Sequence, residues 1–235
     1  MNQYMETWVI LYDEEHVVES AYELPFLTFY GGSLVLDIGC GRGKQMQYIK
    51  SKHGSICIGL DIIPFKLSNF VVADASHLSF RDSVFDIAYS LGVIEHLKET
   101  EKAVGESIRV LRPRGQVLHS VPNMFSLHTF IERPLTNLLF KKWSVGFEQS
   151  FTPKKIKQMF YNYGLKKIKQ KIVVKSRGES KIYKLTKIES LIYQILKEID
   201  RLFSKILPNW GFFLFTYATK FSREHKYKRI NRNLG

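Results

Sequence analysis

Residues 35–44, VLDIGCGRGK, constrain the fold more than any other stretch of this 235-residue sequence. An apolar run typical of a buried parallel strand leads to Asp37, and Gly39, Gly41 and Gly43 follow. A glycine turn between a strand and a helix brings backbone N–H groups and the helix N-terminus close to a ligand. Because the Asp37 carboxylate repels a pyrophosphate, and because the spacing is G-x-G-x-G, the pattern favours a cationic or amine-bearing ligand.

Strand-like and helical runs alternate after this turn. The predicted strands are residues 33–39, 55–61, 70–75, 84–90, 115–122, 165–175 and 211–219, and the predicted helices are residues 14–30, 43–52, 100–111, 152–164 and 187–206. The alternation predicts an α/β, Rossmann-like three-layer sandwich with a doubly wound, mostly parallel sheet. Since only residues 62–69 separate the second and third strands, we expect the usual crossover helix to be cut to about one turn.

Polar side chains recur where the predicted strands end. Asp61 ends the second strand, 20 residues after Gly41, and Asp74 ends the third. Ser90 and Leu91 follow at the end of the fourth strand. An acid at such a strand end can accept hydrogen bonds from ribose hydroxyls. Since parallel strands end at one edge of the sheet, these residues predict a nucleoside pocket there.

Charge is distributed unevenly along the chain. Residues 151–235 hold 21 Lys and Arg against 5 Asp and Glu, whereas residues 1–150 have a net charge of −3. The basic part indicates either an anionic partner, such as nucleic acid or lipid headgroups, or a solvated basic face. The N-terminus does not resemble a signal peptide, and Cys40 and Cys57 form no disulfide or zinc pattern. We therefore expect a cytoplasmic protein, with a peripheral position at the inner face of the membrane as an open alternative.

Five motifs over residues 34–174 resemble the class I S-adenosylmethionine-dependent methyltransferases, in the broad group that includes ubiquinone and menaquinone biosynthesis enzymes. The motifs are VLDIGCGRGK, GLDI, VVADASHLSFRDSVFDIAYSLGVIEHL, RVLRPRGQVLHSVPN and EQSFTPKKIKQMFYNYGL. The resemblance implies a seven-stranded sheet with an antiparallel last strand, within a single domain over residues 1–235. Its expected parts are a cofactor-binding core at 31–122, a lid or substrate segment at 123–150, a helical insertion at 180–210 and a basic tail at 222–235.

The resemblance also implies S-adenosylmethionine as the cofactor and assigns its contacts. The residues implied for the methionine moiety are Asp37, Gly39 and Gly41, with Asp61 for the ribose diol, Asp74 and Ala75 for the adenine edge, and Ser90 and Leu91 lining the cofactor opposite. Cys40 and Ile62 are counted with the cofactor-binding residues. The shortened crossover weakens the case for the apolar contact at Ile62.

Methyl transfer depends mainly on positioning and water exclusion, but an oxygen or nitrogen acceptor also needs a base. Glu95 and His96 follow the fourth strand and are the candidates for catalysis, with His119 as a second histidine to consider. The alternative is that this Glu-His pair packs structurally. Some quinone methyltransferases place a metal-binding glutamate three residues before the pair, but Gly92 stands there, so we expect no metal site.

The acceptor is the open part of the functional prediction. Five aromatic residues of the substrate segment could line an apolar pocket or form ordinary core: Phe125, Phe130, Phe140, Trp143 and Phe147. Helix 187–206 could cap the site, form a homodimer surface or lie on an anionic membrane, and its mixed charges favour packing or a dimer. We expect a small-molecule, lipid-linked or saccharide-linked acceptor. The alternatives are an RNA methyltransferase, favoured by the basic C-terminal part, and a non-catalytic cofactor-binding partner subunit.

Overall fold

The structure, a computed structural model, describes residues 23–132, 134, 147–173 and 187–221. Within these residues the strands are β1 (Leu34–Ile38), β2 (Ile56–Asp61), β3 (Phe70–Val72), β4 (Phe85–Leu91), β5 (Leu111–Pro122), β6 (Lys169–Val173) and β7 (Phe213–Thr219). The helices are α1 (Lys44–His53), α2 (Thr100–Arg109), α3 (Pro153–Asn162) and α4 (Lys187–Ile206). A 3-10 turn at Ile94–His96 and a π turn at His128–Glu132 complete the described elements.

The strands form a single sheet in the order β3-β2-β1-β4-β5-β7-β6. β1 to β5 pair in parallel, and β7 runs antiparallel to both of its neighbours, β5 and β6. The three-residue β3 forms one edge of the sheet, and β6 forms the other. The prediction of a seven-stranded, mostly parallel sheet with an antiparallel last strand is confirmed.

Helices cover both faces of the sheet. α2 and α3 pack on one face in a cluster that includes Leu36 and Phe160, whereas α1 packs on the other face with Val35 and Ile49. Neighbouring residues of β1 therefore point to opposite layers, as the alternation of side chains along a strand requires. This arrangement confirms the three-layer sandwich.

Several element boundaries differ from the prediction. β5 begins at Leu111 rather than at residue 115, because Leu111 pairs with Phe85 before the ladder shifts register. β3 ends at Val72, since Asp74 starts a tight turn with Ser76 instead of continuing the strand. Residues 62–69 contain no helix, so the β2–β3 connection lacks even the single turn that we expected.

The predicted N-terminal helix does not reach residue 30. Described residues 23–30 contain a turn at Pro25 and Phe26 and are otherwise irregular, and the Phe29 ring stacks on His53 at 4.8 Å. Proline lacks a backbone donor and disfavours helical geometry in the residue before it, which accounts for the correction. The rest of that helix, the lid residues 133 and 135–146, residues 174–186 and the tail 222–235 lie outside the described residues.

The helical insertion is confirmed as α4, between β6 and β7. Of the helices in the described ranges, none combines the length and the apolar composition needed to cross a bilayer.

His119 lies inside the core rather than at a reactive edge. It is fully buried on β5, and its ring meets Phe160 edge-on at 5.8 Å. Ser107 Oγ donates to the Val104 carbonyl at 2.7 Å, so His119 Nε2, 2.9 Å from the same oxygen, carries the proton and donates to it. Burial lowers the pKa of His119 to about 3. A fully buried histidine with so low a pKa binds a proton too weakly near neutral pH to be a good candidate for the base.

We predict that His119 makes the fold acid-sensitive. In the unfolded chain His119 binds a proton below its ordinary pKa of 6.5, whereas in the folded chain it binds one only near pH 3. The free energy of unfolding therefore falls as the pH falls from 6.5 toward 3. Between pH 7 and pH 5 the wild-type protein should lose about 2 kcal/mol more of its free energy of unfolding than the His119→Gln variant loses. Urea unfolding at both pH values measures the difference, and equal losses in the two proteins would contradict the prediction.

Candidate functional site

The candidate site lies at the carboxyl edge of the sheet, where β1, β2 and β4 end side by side. Asp37 on β1 is in register with Gly59 on β2 and with Tyr89 on β4. Asp37 is buried, and so is Asp61 at the last position of β2. The parallel topology therefore brings two of the predicted acids to one edge of adjacent strands.

The glycine turn connects β1 to α1 and is tied to β2 by its backbone. The N–H groups of Gly39 and Cys40 both donate to the Leu60 carbonyl, at 2.7 and 3.0 Å. Gly39 has a φ of +76°, and a Cβ there would lie 2.2 Å from a methyl group of Val93. No side chain larger than hydrogen fits at this position. The turn consequently presents bare backbone beside the strand ends.

Asp61 closes the turn from the side of β2. Its Oδ2 accepts the N–H of Gly41 at 3.0 Å, and its Oδ1 accepts the N–H of Ile63 at 3.0 Å. Burial raises the pKa of the Asp61 carboxyl, while the N–H groups of Ile63, Gly41 and Ile62 act in the opposite direction. Each carboxylate oxygen has more than one lone pair, so both can still accept ligand hydroxyls.

Asp37 is held by a residue that sequence reasoning missed. The hydroxyl of Tyr89, fully buried on β4, donates to Asp37 Oδ2 at 2.6 Å. Burial, and then the neighbouring Asp37 carboxylate, raise the pKa of Tyr89 well above its ordinary value. Tyr89 therefore stays a neutral donor that orients the carboxylate. Only the register between β1 and β4 reveals this pairing, and the sequence alone does not contain it.

Asp74 and Ala75 follow β3 and lie further out along the same edge. Asp74 Oδ1 accepts both the N–H and the hydroxyl of Ser76, at 2.8 and 2.7 Å. Its side chain is about half exposed, whereas Ala75 is buried. The turn therefore fixes Asp74 in place while leaving it accessible.

The remaining predicted cofactor residues differ in exposure. Cys40 is buried and packs over Gly59, where an added Cβ would lie 2.6 Å from its Sγ. Ile62 is exposed at the start of the helix-free connection. Leu91 is partly buried, but Ser90 is fully buried, and its Oγ has no hydrogen-bond partner among the described residues. At the end of β4, Leu91 is therefore the residue that is partly accessible, and Ser90 is not.

Glu95 and His96 form the 3-10 turn after β4, and both are buried. His96 Nδ1 lies 2.9 Å from the Phe147 carbonyl oxygen, which can only accept, so Nδ1 carries the proton in the neutral ring. Nε2 is then the nitrogen that can take up a proton. A general base at this position would therefore act through Nε2.

Residues 147–151 run along this turn and bring a further carboxylate to it. The Gln149 N–H donates to the Glu95 carbonyl at 3.0 Å, and the Phe151 N–H donates to the Pro122 carbonyl at 2.9 Å. Glu148, between the residues that contact Glu95 and His96, is buried. Sequence reasoning missed Glu148, because nothing in the spacing showed that a segment 50 residues downstream packs against this turn.

The substrate segment begins where β5 ends. Asn123 is buried, and its Nδ2 donates to the carbonyls of Asn209 and Gly211, at 2.8 Å each, so the segment is tied to the chain after α4. Phe125 and Phe130 are exposed, as is Phe147. The three predicted lining aromatics that fall within the described residues are therefore at the surface rather than in ordinary core.

The described residues contain no group of three or more His, Cys, Asp or Glu side chains that could hold a metal ion. What the site offers instead is bare backbone, buried carboxylates and one histidine in the tautomer of a base. Such a set suits positioning and proton transfer.

Comparison with known proteins agrees with this arrangement. Residues 36–119 match the family described as "Methyltransferase domain". The chain is 33% identical over 99 residues to a tocopherol O-methyltransferase of Arabidopsis thaliana, covering 36% of this chain and 28% of the relative. It is 39% identical over 94 residues to a probable tRNA methyltransferase 9B of Mus musculus, covering 37% of this chain and 21% of the relative. The chain thus spans about a quarter of the length of these curated relatives.

A solved structure resembles nearly the whole chain. A SAM-dependent methyltransferase from Archaeoglobus fulgidus superposes with a TM-score of 0.59 at 19% identity, covering 93% of this chain and 95% of the other. At that identity the likeness concerns the fold, and the sequence match over residues 36–119 concerns the core at the carboxyl edge. Residues 36–119 therefore match a methyltransferase domain, and the chain shares the class I methyltransferase fold.

Proposed function

We propose that the chain transfers the methyl group of S-adenosylmethionine to a small-molecule, lipid-linked or saccharide-linked acceptor. The single observation that carries this proposal is the hydrogen bond from Gly41 to Asp61, which joins the glycine turn to an acid at the neighbouring strand end. The methyltransferase domain match and the name of the Archaeoglobus neighbour support the choice of cofactor.

The residues at the edge fit this cofactor. The backbone at Gly39 packs directly against Val93 with no room for a side chain, and the buried Asp37 carboxylate beside it suits a cationic, amine-bearing amino-acid moiety. In our proposal the methionine part is held by Asp37, Gly39, Cys40 and Gly41. When bound, S-adenosylmethionine supplies a methyl group on a sulfonium whose departing sulfide is neutral.

The other contacts follow the order of the strand ends. Asp61 accepts the ribose hydroxyls, with Ile62 beside them, and Asp74 with Ala75 contacts the adenine edge. Leu91 covers the opposite side, and Ser90 supports it from below. Since the connection after β2 contains no helix, we expect the adenine side of this pocket to be less covered than a crossover helix would leave it.

His96 is proposed as the base on the acceptor side. Its Nδ1–H is engaged by the Phe147 carbonyl, so in our proposal Nε2 is the nitrogen that receives a proton from an acceptor hydroxyl or amine. Glu95 lies next to it on the same buried turn, where a carboxylate stabilises the protonated imidazole.

The exposed aromatic rings of the substrate segment support an apolar or amphipathic acceptor. Phe125 and Phe130 lie at the surface just after β5, next to Met124, which is also exposed. A polar acceptor needs no such rings, whereas a lipid-linked one buries them.

RNA is the second candidate acceptor. Residues 151–173 contain seven lysines and no acid, and six of these lysines are exposed. A lysine-rich face of this kind binds phosphates without reading sequence. The similarity to a tRNA methyltransferase of mouse supports the same candidate.

Transfer of labelled methyl from S-adenosylmethionine into fractionated lipid, RNA, protein and small-molecule pools tests the proposal. Label in the lipid or small-molecule pool is expected, and label in RNA would favour the second candidate. If the chain binds the cofactor tightly but labels no pool, it is a non-catalytic partner subunit, and the proposed activity is wrong.

We predict that Asp61→Asn weakens S-adenosylmethionine binding roughly tenfold to a hundredfold, because hydrogen bonds to a carboxylate contribute about 1.5–3 kcal/mol. Calorimetry on the purified chain measures the affinity. The matched control is Asp82→Asn, which changes an exposed carboxylate paired with Arg109 away from the site. Equal affinities for both variants would remove Asp61 from the cofactor site.

We predict that His96→Gln lowers the rate of methyl transfer about 10²- to 10⁴-fold while leaving cofactor affinity unchanged, because it removes the base. Single-turnover kinetics with the acceptor found in the labelling experiment measure the chemical step. His53→Gln, at the end of α1, serves as the control. A His96→Gln rate within twofold of wild type would instead indicate a purely structural Glu-His pair.

A further inference from the structure

We propose that the chain docks on anionic bilayers through a surface built from α4 and the start of the substrate segment. This docking face consists of Ile195, Leu202, Phe203, Ile206 and Leu207 together with Phe130, all of them exposed. The proposal goes beyond methyl transfer and can be tested without an acceptor.

The first argument is the rotation of α4 about its axis. Ile195, Leu202 and Ile206 are 52%, 56% and 75% exposed, although they belong to the apolar stripe of an amphipathic helix. Asp200, by contrast, is only 2% exposed. A helix that packs in the usual way buries its apolar stripe and exposes its charges. Of the described stripe residues, Ile199 is partly buried, but the others are exposed: Ile195, Leu202, Phe203 and Ile206.

The second argument is that a polar anchor holds α4 in this rotation. Asp200 Oδ1 accepts the indole N–H of Trp210 at 2.6 Å and the N–H of Leu127 at 3.3 Å. A buried carboxylate is costly unless it is hydrogen-bonded, so Asp200 strongly favours the rotation that keeps both donors. The hydrogen bonds to Asp200 therefore fix the outward orientation of the stripe.

The third argument is that the apolar surface extends beyond one helix. The Trp210 ring contacts Phe203 at 5.2 Å between centroids and stacks on Phe130 at 6.4 Å. Trp210 thus joins the end of α4 to the substrate segment. Single exposed apolar side chains are ordinary, but a contiguous surface of this kind marks an interaction site.

Charge decides which partner the docking face fits. The chain carries a net charge of +13, with a surplus of 16 positive charges in residues 151–235, so two copies repel each other. An anionic bilayer attracts such a chain, with about 1 kcal/mol for each basic residue near the surface. Lys205 and Arg201 are exposed beside the apolar stripe, although Glu198 lies 3.7 Å from Arg201 and offsets part of its charge.

The geometry also relates docking to the acceptor side of the site. Phe130 belongs to the segment that begins at Asn123, directly after β5. A bilayer seated on the docking face would therefore meet the substrate segment, which on the proposed function belongs to the acceptor side of the site.

Co-sedimentation with vesicles tests the proposal. The wild-type chain should bind vesicles of phosphatidylcholine and phosphatidylglycerol in equal parts, bind less at high salt, and bind phosphatidylcholine vesicles weakly. Ile206→Glu and, separately, Leu202→Glu should each weaken binding to the anionic vesicles roughly tenfold or more, because an apolar side chain no longer enters the interface. Ile56→Glu changes an isoleucine that is 52% exposed on β2, outside the docking face, and should bind like wild type.

S-adenosylmethionine affinity, measured on each variant, shows that the variants are folded and separates docking from the proposed function. Vesicle binding by a chain that fails to bind the cofactor would leave docking intact and overturn the function. Docking is overturned if the wild-type chain binds no vesicles, binds both vesicle types equally, or binds them undiminished after Ile206→Glu. It is also overturned if the chain forms a dimer in solution that Ile206→Glu dissociates, since the face then belongs to a second copy.

Discussion

The hydrogen bond from the Gly41 backbone to the Asp61 carboxylate is the contact on which the candidate site depends. Together with the bonds from Gly39 and Cys40 to Leu60, it attaches the glycine turn to the end of a buried strand. The burial of Asp61 is unfavourable for a charge, and the N–H groups of Gly41 and Ile63 offset part of that cost. The carboxylate is therefore oriented by the sheet itself, so a ligand meets groups already in position.

The glycine turn and the acids at the strand ends could be predicted from the sequence because these features are local. The run from Leu34 to Ile38, the glycine turn and the acid at the end of β2 follow from patterns within about thirty residues and from the rule that parallel strands end together. Long-range pairings could not be predicted. The contact between Tyr89 and Asp37 depends on register, and the burial of Glu148 depends on a distant segment packing on the turn at Glu95. The rotation of α4 depends on Asp200, which its apolar period does not reveal.

The acceptor side is assembled from pieces far apart in the chain. The turn at Ile94–His96 is contacted by Phe147 and Gln149, and the segment after β5 is tied to Asn209 and Trp210 beyond α4. The curated relatives match this chain over 99 and 94 residues, and the methyltransferase-domain match covers residues 36–119. One of these relatives is named for a tocopherol and the other for a tRNA, and one fold can carry sites for different substrates.

The margins of the sheet have a consequence for how copies of the chain can associate. An open strand at a sheet edge is a template for another chain, and proteins blunt it with short strands and lysines. β3 has only three residues, and β6 carries exposed Lys169 and Lys171 on its outer flank. Growth by edge-to-edge strand addition, the route toward fibrils, is thereby discouraged at both ends of the sheet.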